Sequence, residues 1–196
     1  MLRLSRSLCT STAFERISSK VGMSAAELQA KACINLRGRA LTAADLSIVA
    51  AFLSQNDQLE QLDLAANGFG VDGAEFVATV MSSCATLTSL HLDNNNLRGG
   101  STIISEAVAR HEGLRELHMP ANVIGPAAAV SFAAAVTACK SLESLNLSSN
   151  AFGYKGGVAV AEALATSAAS SKLQSLSLTA CAVGMESAGE RRRPLR

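Results

Sequence analysis

The 196-residue sequence predicts an α/β solenoid, with parallel strands on a concave face and helices on a convex one. Three observations carry that reading. A leucine pattern restarts at Leu59, Leu87, Leu114, Leu142 and Leu173, in steps of 28, 27, 28 and 31 residues. Asparagine stands at the ninth place of four of these five copies. Between copies lie stretches such as "DGAEFVATVMSSC" and "GSTIISEAVARHE", whose apolar residues recur at spacings of three and four, as burial of one helix face requires. Self-similarity at this period marks units that cannot bury themselves alone and share a core by stacking.

Residues 1–20 stand outside the period. Arg3, Arg6, Arg16 and Lys20 oppose Glu15 alone, and this Arg- and Ser-rich composition looks like a mitochondrial transit peptide, the alternative being a basic N-terminal extension. Ser24 with Glu27 three residues later, flanked by Met23 and Leu28, predicts a short capping helix. A degenerate first copy follows, in which "INLRGRAL" puts Ile34, Leu36 and Leu41 in register and Arg39 in the asparagine slot. Thr42 and Asp45 form a second capping box, with Leu41 and Leu46 as its hydrophobic staple. Helical stretches then alternate with strands to Leu173. After Gly184, "MESAGERRRPLR" meets Gly189 and Pro194 almost at once, so the last repeat is expected to lack most of its helix and a polar cap. Self-association through that uncapped repeat is expected unless another surface covers it. The division is therefore 1–20, a basic extension or transit-peptide candidate; 21–188, five repeats plus the degenerate first one; and 189–196, a basic tail.

Within each copy the first residues read LxxLxL. Alternation along a strand sends positions four and six into the core and three, five and seven to the concave side. The ninth positions are Asn67, Asn95, Asn122, Asn150 and Cys181. Where the chain leaves the strand, backbone groups lose their ladder partners, and a side-chain amide carries both donors and an acceptor to satisfy them. These five residues are expected to form a structural ladder. In "LDNNNL" that makes Asn95 structural and leaves Asn94 and Asn96 facing solvent.

Five LxxLxL copies in register, four with asparagine at the ninth position, resemble the leucine-rich repeat family from about Lys31 to Met185. The repeat length with a true helix is similar to its ribonuclease-inhibitor-like subclass. The resemblance implies a leucine-rich repeat solenoid, a short horseshoe arc that binds proteins, and it accommodates Cys181 in the ladder slot.

Composition narrows the function. Net charge is +1, but the two basic ends leave nine basic against fourteen acidic residues between them, a net of −5. An acidic body lacks the basic stripe that nucleic-acid binding needs. The longest apolar run, "IVAAFL", is too short to span a membrane. Five cysteines without a CxxC pair read as reduced thiols, hence an intracellular and most simply cytoplasmic protein, with mitochondria as the alternative address.

The concave columns are Cys33, Gln61, Ser89, Glu116, Ser144 and Ser175; Asn35, Asp63, His91, His118, Asn146 and Ser177; and Arg37, Ala65, Asp93, Pro120, Ser148 and Thr179. Parallel neighbours bring His91 and His118 about 4.8 Å apart at the backbone, flanked by acids. Two imidazoles and several carboxylates have zinc-ligand chemistry, but a curved open sheet rarely supplies the pocket and supporting hydrogen bonds of a metal site. We therefore expect neither metal nor cofactor, and read Asp63, His91, Asp93, Glu116, His118 and Asn146 as a partner-binding patch. No nucleophile elbow or phosphate-binding glycine loop occurs, which argues against an enzyme. Resemblance raises one regulatory alternative: some members of the subclass activate Ran-type GTPases, and Arg37, Arg39 or Arg98 on post-strand loops would be the candidate arginine. A mitochondrial assembly factor is the other alternative. The leading expectation is a regulatory or scaffolding protein-binding module.

Overall fold

The computed structural model describes residues 2–167 and 172–182. The expectations for the helix after Gly184 and for the tail 189–196 fall outside these residues. Six short strands, β1 (Cys33–Asn35), β2 (Gln61–Asp63), β3 (Ser89–His91), β4 (Glu116–His118), β5 (Ser144–Asn146) and β6 (Ser175–Ser177), pair in chain order as one parallel sheet. The register is the one that the repeat implies. Asn35, Asp63, His91, His118, Asn146 and Ser177 stand in one row across the six strands.

Helices line the other side: α3 (Ala43–Leu53), α4 (Gly73–Ser83), α5 (Ser101–Arg110), α6 (Pro126–Ala138) and α7 (Gly153–Ser167). Between the layers runs one apolar core, built from the strand leucines and from helix residues such as Val49, Val77, Ile104 and Phe132. This is the packing expected of units that each expose an apolar face to their neighbours. Adjacent helices approach closely where they start. A Cβ added to Gly100 would lie 2.8 Å from the Val71 carbonyl oxygen and 3.0 Å from the Ala74 Cβ, so the entry to α5 requires glycine.

The N-terminal end is tied in by two helices, α1 (Leu2–Val21) and α2 (Ala25–Ala30). Both expected capping boxes form, Ser24 with Glu27 and Thr42 with Asp45. Phe14, Ile17 and Val21 of α1 are buried in the common core, and the Phe14 ring meets Phe52 of α3 edge-on at 4.9 Å. Lys20 closes the junction with an ion pair of 2.8 Å to Asp45, the capping residue of α3. Among the described residues, no helix is long and apolar enough to cross a membrane.

Candidate functional site

The loop after each strand ties the concave face to the core. Positions eight and ten take positive φ in several repeats, as at Asn94 (53°), Asn96 (57°), Ala121 (55°) and Val123 (57°). The chain thus turns sharply on either side of the ninth residue and drives that side chain inward. Asn95 and Asn122 are fully buried, and Asn150 and Cys181 nearly so. The Asn95 amide donates to the Leu64 and Leu92 carbonyls at 3.0 and 2.9 Å, and its oxygen accepts from the Asn67 and Gly68 N–H groups. Asn122 repeats this with Leu92, Met119, Asn95 and Leu97, and Asn150 with Met119, Leu147, Asn122 and Ile124. Each inward carbonyl between rungs therefore receives two amides, one from its own repeat and one from the next. Cys181 ends the series by donating its thiol to the Leu147 carbonyl at 3.0 Å, and burial raises its pKa.

A second ladder, at the opposite end of the strands, was not evident from sequence. Asn56, Cys84, His111 and Cys139 each stand three residues before a repeat start and are all buried. Asn56 donates to Leu28 and Lys31, Cys84 to Leu53, and Cys139 to His111, each time reaching the carbonyls of the preceding unit. The His111 Nδ1 accepts from the Gly113 and Leu114 N–H groups, which leaves its Nε2 to donate to the Cys84 carbonyl at 3.2 Å. Burial pushes the Cys84 thiol up to about 11, so it is no nucleophile at neutral pH. The shared position was the available signal; three different side-chain chemistries, amide, thiol and imidazole, hid it.

On the concave face the six predicted residues divide into groups. Asp63 and Asp93 are held by Arg37, whose guanidinium reaches across the small Ala65 to lie 3.7 and 3.5 Å from them. Asp63 also accepts from the Ala65 N–H, and Asn146 from the Ser148 N–H, so both cap their own loops. Asn35 does the same for Arg37. His91 and His118 break that habit, and neither ring hydrogen-bonds to the backbone among the described residues. Instead they stack, with ring centroids 4.4 Å apart and planes 4° from parallel. The Glu116 carboxylate lies 3.0 Å from His118 Nε2 and 4.0 Å from His91 Nε2. Ser89 donates its hydroxyl to the same carboxylate at 2.9 Å. Beside this cluster, a shallow depression of about 310 Å³ is lined by Cys33, Asn35, Gln61, Asp63, Ser89 and His91.

Two segments match leucine-rich repeat family models, residues 86–109 and residues 138–161. These two segments are leucine-rich repeats, and the strand-and-helix unit they contain recurs along the described residues. The solved structures that share its fold include these two. One is the tropomodulin C-terminal domain of Caenorhabditis elegans, at 14% identity and a TM-score of 0.59, covering 78% of this chain and 93% of that one. The other is leiomodin-1 actin-binding site 2, at 19% identity and a TM-score of 0.56, covering 80% and 90% respectively. At such identities the likeness is one of fold. No curated protein matches the sequence.

Proposed function

We propose that this leucine-rich repeat chain is a protein-binding module of the ribonuclease-inhibitor-like subclass, holding a partner on its concave strand face in a regulatory or scaffolding role. The observation that carries the reading is the row Asp63, His91, His118 and Asn146. Four polar side chains stand in register on adjacent strands, partly exposed, while the leucine beside each is buried. Such a row offers a partner polar contacts at a fixed spacing with little ordering left to lose. Asp63, His91, Asp93, Glu116, His118 and Asn146 are the proposed contacts. Repeat family matches, and a neighbour of the same fold described as an actin-binding site, support protein as the partner class. The subclass rests on repeat length and the α-helix that follows each of the strands β1 to β5.

A GTPase-activating role is less well supported. Arg37 is engaged by Asp63 and Asp93, and the Arg98 Nε donates to Asn96 at 2.9 Å. Cys33, Cys84, Cys139 and Cys181 are free thiols, which favours a reducing, intracellular setting, with cytoplasm preferred over mitochondria. Self-association through the last repeat also remains our proposal. Leu173, Leu176 and Leu178 are only partly buried there, and gel filtration over a concentration series would reveal it.

The binding face is tested with two double variants against a partner recovered from the native cell. His91→Ala with His118→Ala should weaken capture strongly. Glu106→Ala with Arg110→Ala, an exposed pair on convex α5, should leave capture unchanged. The reverse pattern would place binding on the helices.

A further inference from the structure

The stacked histidines and Glu116 raise a question that partner binding does not answer. Side chains in their row usually serve their own loop, as Asn35, Asp63 and Asn146 do. His91 and His118 have no such task, yet they are aligned ring to ring and directed at one carboxylate. One ligand atom from each of His91, Glu116 and His118 lies within 4.8 Å of the others, and all three residues are half-buried.

We propose that His91, Glu116 and His118 form a three-ligand site for a divalent transition-metal ion of the zinc class. The donor set decides the class, because two imidazole nitrogens with one carboxylate suit zinc, cobalt or nickel, whereas calcium and magnesium prefer all-oxygen sites. The distances are within reach. Metal–ligand bonds of about 2.0–2.2 Å put donors about 3.3–3.6 Å apart in a tetrahedral site. Glu116 and His118 already stand at 3.0 Å, the His91 nitrogen lies 4.0 Å from the carboxylate, and all three donors lie within 4.8 Å, so the widest gap closes by about 1–1.5 Å as the stacked rings tilt to converge their nitrogens. The supporting hydrogen bond that an open sheet was expected to lack is present: Ser89 orients the Glu116 carboxylate from the neighbouring strand. Asp63 and Asp93 add negative charge nearby, partly balanced by Arg37. Remaining coordination positions would face the concave side, open to water or to a partner's side chain.

Metal binding requires no partner, so it is measured on the chain alone. Metal-free protein is titrated with zinc by calorimetry and with cobalt by absorption. The expected result is one ion per chain, with a cobalt spectrum free of thiolate charge transfer. His91→Ala, His118→Ala and Glu116→Gln should each weaken binding about tenfold or more, and Ser89→Ala about tenfold. Cys33→Ser should bind like the parent, and unchanged melting curves would show that the variants fold. The proposal is overturned if the parent binds no ion, if the double histidine variant binds as tightly as the parent, or if Cys33→Ser abolishes binding.

Discussion

Replacing Asn122 by alanine tests the ladder at a fully buried rung whose accepted N–H groups are buried too. The substitution removes an oxygen that accepts from the Asn95 N–H at 3.0 Å and the Leu97 N–H at 3.4 Å, both buried. It also removes the amide donated to Leu92 and Met119, but each of those carbonyls keeps a second amide, from Asn95 and Asn150 respectively. The loss is therefore dominated by two orphaned N–H groups, at about 1–3 kcal/mol for each buried donor. Because the Leu97 bond is long, we expect a total of about 2–4 kcal/mol. Asn95→Ala should cost less, since it frees the part-buried Asn67 and Gly68 N–H groups. Asn94 is exposed at φ 53°, where asparagine is preferred to alanine, so Asn94→Ala should cost about 0.5–1 kcal/mol. Urea unfolding of the three variants, read from midpoints at unchanged slope, gives the order directly. Equal losses at Asn94, Asn95 and Asn122 would refute the ladder as the reason for the asparagine column.

Gly100→Ala should destabilise the chain by about 1–3 kcal/mol through overpacking against Val71 and Ala74, measured by thermal melting; a neutral result would mean that α4 and α5 separate freely. Deleting residues 1–20 strips Phe14 and Ile17 from the core and breaks the Lys20–Asp45 pair, an expected loss of about 3–5 kcal/mol. An unchanged melting temperature would instead favour a removable address peptide, which a reporter fused to residues 1–25 would then carry to mitochondria. Bonds from Lys31 first, and then Ser24, hold the Glu27 carboxyl down at about 2. Burial opposes ionisation of Asp45, but bonds from Lys20 and Thr42 outweigh it and lower its pKa. Carboxyls with depressed folded pKa values stabilise the fold above the ordinary carboxylate range and lose that contribution as pH falls. Hydrogen exchange should therefore show α2 and the start of α3 loosening between about pH 4.5 and 2, and Glu27→Gln with Asp45→Asn should abolish the dependence.

Much of the architecture was legible because the period is written in leucine. Position determines burial so strictly in a parallel stack that strand order, register and the inward asparagines all follow from it. Side-chain reach was not legible. That Arg37 spans to Asp93 depends on Ala65 being small, and that Glu116 turns toward two histidines depends on rotamers and on Ser89. The loop-capping role of Asp63 and Asn146 was hidden for another reason: a polar residue on a concave face reads as surface until its side-chain oxygen is seen accepting from the N–H two residues on. For α1, the composition spoke of charge, while Phe14, Ile17 and Val21, at helical spacing, carried the apolar stripe that docks it.

The central claim is that the concave strand face meets the partner. A photo-crosslinking residue placed singly at Ser144, beside Glu116 in the sheet register, or at Glu106 on convex α5 tests it most directly. The account predicts an adduct with the captured partner from position 144 and none from position 106. An adduct from position 106 alone would contradict it.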